Sequence, residues 1–113
     1  MVNRRIQSST KLIITIGEKM IKTPDTFADD VTIVYSKNNC VKCKMTKNLL
    51  QRENIPFEEI NIEESGHMDD YIAFLKGDLD KMAMPVVYPA RKSGLLPWND
   101  FQQANIKELA SKI

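Results

Sequence analysis

Cys40 and Cys43 are the only thiols in this 113-residue chain, and Val41 and Lys42 alone separate them. Two thiols at that spacing can close a disulfide. If a helix starts at or beside Cys40, its unpaired N–H groups and a partial charge of roughly +0.5 favour an anion there. A thiolate is such an anion, and thiols at Cys-x-x-Cys helix starts fall from a pKa of about 8.5 into a range of about 3.5 to 7.5. Cys40, first in the pair, gains most and is the expected nucleophile. Cys43, one turn further in, is placed to resolve a mixed disulfide by thiol–disulfide exchange. Lys37, Lys42 and Lys44 lie close in sequence; they would favour the thiolate further and offer an acidic partner a landing place.

Metal binding is the competing chemistry for a cysteine pair. Structural zinc takes four nitrogen or sulfur ligands, and the chain has two cysteines and one histidine, His67. A monomer is one ligand short, so no metal is expected, although a site shared between two chains stays open. His67 is expected to be a surface residue without a role.

The elements around the pair are legible. Val31-Thr32-Ile33-Val34-Tyr35 is β-branched and aromatic, which suits a buried strand, and Ser36 to Asn39 supply turn formers. Val41, Met45 and Leu49, with Leu50 beside them, recur at helical spacing and predict an amphipathic helix ending near Asn54, before Ile55-Pro56. Phe57, Ile60 and Ile62 mark a second strand with a solvated face at Glu58 and Glu59, completing a β-α-β unit. Met68, Tyr71, Ile72 and Leu75 predict a helix opened by Ser65-Gly66 and capped by Gly77. Pro85 to Tyr88 reads as a strand, Leu95-Leu96 as a weak fourth strand, and Ile106, Leu109, Ala110 and Ile113 as one face of a last helix. The fold class is therefore α/β, with a central mixed four-stranded sheet flanked by helices over residues 31–113. Residues 1–30 form an N-terminal extension of uncertain structure, in which Leu12 to Ile16, ended by Gly17, is the candidate for an added strand.

Composition narrows the function classes. With 42% hydrophobic and 27% charged residues the chain is ordinary for a globular domain. A net charge of +1 offers no general attraction to nucleic acid or to an anionic membrane. The Leu12 to Ile16 run is too short for a membrane span or a signal-peptide core. Two cysteines are too few for a secreted disulfide scaffold, and a Cys-x-x-Cys pair in a reducing compartment points to catalysis, with the cytoplasm as the expected location.

The segment Val34-Tyr35-Ser36-Lys37-Asn38-Asn39-Cys40-Val41-Lys42-Cys43-Lys44-Met45-Thr46-Lys47 resembles the active-site stretch of the NrdH-redoxins, glutaredoxin-like members of the thioredoxin superfamily. Met84-Pro85-Val86-Val87 is similar to the superfamily's cis-proline loop, and Trp98-Asn99-Asp100-Phe101 to the family's Trp-Ser-Gly-Phe motif. The three motifs occur in the family's order, and the likeness covers Val31 to Ile113. It implies a thioredoxin-like fold and a cis bond before Pro85 beside the cysteines. It also implies a dithiol that reduces class Ib ribonucleotide reductase and is itself re-reduced by thioredoxin reductase, with NADPH as the electron source and no bound cofactor. Trp98 and Phe101 would then hold a loop and face the partner, although a Trp and a Phe at this spacing also suit a core edge. Asp100 departs from the pattern, since it stands where the family usually has a glycine, the residue that adopts positive φ most readily. Gln102 stands where arginine is common.

Two other functions compete. A glutathione-dependent glutaredoxin would carry a Gly-Gly-Asp-like segment after the proline strand, where this chain reads Ala90-Arg91-Lys92-Ser93-Gly94-Leu95-Leu96. A Cys-x-x-Cys redox-sensing regulator would need a recognisable DNA- or polymerase-binding element, and the near-neutral charge provides no footprint for DNA.

Overall fold

The computed structural model describes residues 21–79 and 83–113. The candidate strand at Leu12 to Ile16 and its Gly17 lie outside these residues. Strand β1 (Thr32–Ser36) is the centre of the sheet, and all five of its residues are buried. Its β-branched and aromatic side chains, with small hydroxyls at the ends, suit a strand covered on both faces. It runs parallel to β2 (Phe57–Asn61), with Thr32 opposite Phe57 and Ser36 opposite Asn61. On its other side it is antiparallel to β3 (Val86–Tyr88), which is antiparallel to β4 (Trp98–Asn99). The strand order is β2-β1-β3-β4. Helix α1 (Val41–Arg52) makes the crossover between β1 and β2; α2 (Met68–Asp78) follows β2, and α3 (Gln103–Lys112) closes the chain. The expected α/β architecture, a mixed four-stranded sheet flanked by helices, is the one observed.

Side chains alternate across a strand, so the sheet feeds two cores. Val34 and Val87 point to the face covered by α1 and α3, where they join Leu49, Leu50, Ile55, Trp98, Ile106 and Leu109. Ile33, Tyr35, Val86 and Tyr88 point to the opposite face and meet Ile62, Tyr71 and Leu75. In this second core the Tyr35 ring stands edge-on to Tyr88 with centroids 5.6 Å apart, and its hydroxyl donates to the Lys22 carbonyl at 2.7 Å. Ile21 and Phe27 pack on the same cluster, and Tyr71 accepts the Lys22 N–H at 2.8 Å.

Five sequence expectations are corrected. The buried face of α1 is Cys43, Thr46, Leu49 and Leu50, while Val41 is 73% and Met45 43% exposed. Two overlapping stripes of helical spacing share the Leu49-Leu50 end, and the helix turns the Cys43-Thr46-Leu50 stripe to the sheet. In α2, Gly77 lies within the helix and the C-cap is Leu79, while Met68 is exposed at the first position. The fourth strand is Trp98–Asn99, not Leu95-Leu96; Leu96 is 81% exposed, and Leu95 packs against the first core. Ile113 ends the chain exposed instead of on the buried face of α3.

Candidate redox site

The cysteines sit where β1 turns into α1. Ser36 ends the strand, Asn39 takes a positive φ of 53°, and Cys40 is the N-cap of α1 with an extended backbone. Asparagine tolerates the left-handed region better than most residues, which allows this tight entry into the helix. The Cys40 sulfur accepts the Cys43 N–H at 3.1 Å and so takes the capping place that a serine or aspartate oxygen usually fills. Cys40 and Cys43 form a disulfide, with Cα atoms 5.2 Å apart. Cys43 is buried at 2% exposure, whereas Cys40 is part-exposed. The outer sulfur is therefore the one an approaching group meets.

A concavity of about 550 Å³ opens beside the pair, lined by Lys37, Asn38, Cys40, Cys43, Lys44, Lys47 and Glu59 among others. Glu59 comes from β2, where strand alternation aims it at α1. Its carboxylate accepts the Ser36 hydroxyl at 2.6 Å and pairs with the Lys47 ammonium at 2.8 Å. Burial works to raise the Glu59 pKa, but the hydrogen bonds from Lys47 and Ser36, with the Lys47 charge, together hold it below the ordinary value. Sequence reasoning missed this cluster, because Glu59 beside Glu58 on β2 reads as part of a solvated strand face.

Lys42, between the cysteines in sequence, has its Nζ 3.0 Å and 3.3 Å from the two Asp100 carboxylate oxygens. The Asp100 N–H donates to the Pro85 carbonyl at 2.8 Å, and its Oδ1 accepts the Phe101 N–H at 2.8 Å. The Lys42 ammonium and then the Phe101 N–H hold the Asp100 carboxyl below the usual carboxylate range. Asp100 adopts a φ of 69°, the region a glycine would enter freely and an aspartate enters at modest cost. The departure from the motif thus keeps a positive φ and adds a charge.

Of the expected site residues, Cys40, Cys43 and Lys37 line one concavity, and Lys42 is tied through Asp100 to Pro85. The Met84–Pro85 bond is cis, and Pro85 is buried. Trp98 is 8% exposed and packs in the first core with Phe101 against the same cluster, so its indole belongs to the core edge and not to an outer surface. His67 precedes α2, 3.9 Å from Asp70, and no group of three or more potential metal ligands gathers among the described residues.

A family model described as Glutaredoxin matches residues 32–92, more than half of the chain, from β1 past the proline strand. The chain belongs to the glutaredoxin family. Over 31 residues this glutaredoxin-family chain is 61% identical to the glutaredoxin-like protein NrdH of Lactococcus lactis subsp. lactis strain IL1403, and equally so to that of subsp. cremoris strain MG1363. The matched stretch is 27% of this chain and 43% of either relative. Among solved structures, NrdH-redoxin from Escherichia coli superposes with a TM-score of 0.57 at 26% identity, over 70% of this chain and 93% of that one. Glutaredoxin grx-1 from Archaeoglobus fulgidus superposes with a TM-score of 0.62 at 23% identity, over 80% and 97% of the two chains, which speaks for the fold. The likeness to NrdH-redoxins drawn from the motifs is borne out, as is a glutaredoxin-like fold carrying a redox-active Cys-x-x-Cys pair.

Proposed function

We propose that this glutaredoxin-family chain is a small dithiol electron donor to a protein disulfide, with class Ib ribonucleotide reductase as the acceptor. The Cys40 thiolate attacks one sulfur of the acceptor disulfide, forming a mixed disulfide and releasing the acceptor's first thiolate. Cys43, deprotonated, then attacks Cys40; the Cys40–Cys43 bond closes and the second acceptor thiolate leaves, so two electrons have crossed. Thioredoxin reductase, a flavoprotein drawing on NADPH, reduces the pair again. The observation that carries this reading is the Cys43 N–H donated to the Cys40 sulfur at the N-cap of α1, because a donor aimed at sulfur favours its anionic form.

Lys37, beside the sulfurs, is assigned to meeting an acidic partner, Lys42 to the charge balance of the site, and Pro85 and Phe101 to shaping the neighbouring loop. Trp98 supports that loop from within the core. The choice of acceptor and reductase is supported by likeness to the NrdH proteins and by the thioredoxin-like activity profile of the Escherichia coli NrdH-redoxin. A reducing compartment, the cytoplasm, suits such a donor. Among the described residues no helix is long and apolar enough to cross a membrane.

A glutathione-dependent reaction is the second reading, favoured by the family model itself. After the proline strand, however, the chain forms a 3-10 turn at Arg91–Ser93 instead of carrying a glycine doublet. The two are separated by NADPH oxidation with a protein disulfide, supplied with either thioredoxin reductase or glutathione plus glutathione reductase. Turnover is expected with thioredoxin reductase; turnover confined to the glutathione system overturns the assignment.

A further inference from the structure

Asp100 ties its own loop to the proline segment and to the start of α1. Its N–H donates to the carbonyls of Pro85 at 2.8 Å and Ala83 at 3.2 Å. Its carboxylate holds the ammonium of Lys42, the residue immediately before Cys43, at 3.0 Å. We propose that Asp100 is a positioning residue of the redox site: it keeps the Lys42 ammonium on the loop after β4 and so limits how far that charge stabilises the Cys40 thiolate.

The pair is exposed, so its contribution to folding is small. Its consequence is local. Lys42 is two residues from Cys40 in the chain, and a free cation so placed would act on the sulfur more strongly than one whose charge is neutralised by a carboxylate. The other charges facing the pair are Lys37, Lys44, Lys47 and Glu59, from the β1-α1 turn, α1 and β2. Lys47 is matched by Glu59 as Lys42 is by Asp100, so two of the four lysines between residues 37 and 47 are held in ion pairs. A glycine at residue 100 would provide the backbone conformation without this restraint, which is why the aspartate bears on chemistry as well as on loop shape.

The inference rests on Cys40 acting as the thiolate, and it is tested on the reduced protein alone by following thiolate absorbance near 240 nm against pH. Asp100→Asn keeps an Oδ1 acceptor for the Phe101 N–H and a side chain that tolerates positive φ. It is expected to lower the Cys40 pKa by about 0.5, roughly a threefold gain in thiolate at a pH well below the pKa. Lys42→Met is expected to raise the pKa by about 0.2 in the wild-type background and about 0.5 in the Asp100→Asn background, because the ammonium is neutralised by the carboxylate in the first and free of it in the second. Additive effects, or a Lys42→Met change no larger in Asp100→Asn than in wild type, overturn the role. The titration needs neither reductase nor acceptor, so its failure and a failure of the coupled assay are read separately.

Discussion

The sulfur of Cys40 occupies the N-cap of α1 and accepts the backbone N–H of Cys43 at 3.1 Å, so the two cysteines are linked through the helix start as well as through their disulfide. This asymmetry, an outer part-exposed sulfur and an inner buried one, separates the two expected roles. Cys43→Ser should leave Cys40 able to attack and unable to release, and a mixed disulfide with an acceptor should accumulate on non-reducing mass analysis. Accumulation with Cys40→Ser instead would reverse the roles.

Glu59 gives an acid-side prediction. Its folded pKa lies below the ordinary 4.5, so the carboxylate stabilises the fold above the unfolded value and that stability is lost as pH falls through the folded value. Its side chain is about one-third exposed, which limits the effect to about 1 kcal/mol or less. Urea unfolding of Glu59→Gln should show a small deficit at pH 7 that shrinks towards pH 3.

Two buried tyrosines act on the alkaline side. Burial first, and for Tyr88 the hydrogen bond to Asp78 at 2.6 Å next, push the phenols of Tyr35 and Tyr88 well above 10.0. A raised folded pKa means stability that is whole below the unfolded value and lost as pH rises above it. Stability should therefore decline above about pH 10, and Tyr35→Phe should leave the 295 nm tyrosinate signal of the folded protein below that pH unchanged.

The orientation of α1 is open to a direct stability comparison. Leu50 is fully buried and Val41 is 73% exposed. Leu50→Ala should cost about 2–5 kcal/mol in chemical denaturation, whereas Val41→Ser should stay within about 0.5 kcal/mol of wild type. A comparable loss at both positions would mean that the Val41-Met45-Leu49 stripe faces the sheet after all.

Much of this protein is legible from local chemistry alone. The β-branched and aromatic run at 31–35 suits a buried strand, Ser36 to Asn39 supply a turn, and the spacing of Cys40 and Cys43 allows a disulfide at a helix start. Those features depend on residues within a few positions of one another. Tertiary structure decided what spacing leaves degenerate. Two stripes on α1 fit helical periodicity equally well, and only contact with Val34 and Val87 selects the one through Leu50. A two-residue strand at Trp98–Asn99 carries no periodicity of its own and exists because β3 offers it an edge. Lys42 and Asp100 lie 58 residues apart, and Ser36, Lys47 and Glu59 come from three elements, so their pairings arise only when the sheet brings those elements together. The sequence by itself determined that there is a dithiol at a helix start; which charges surround it was decided by the fold.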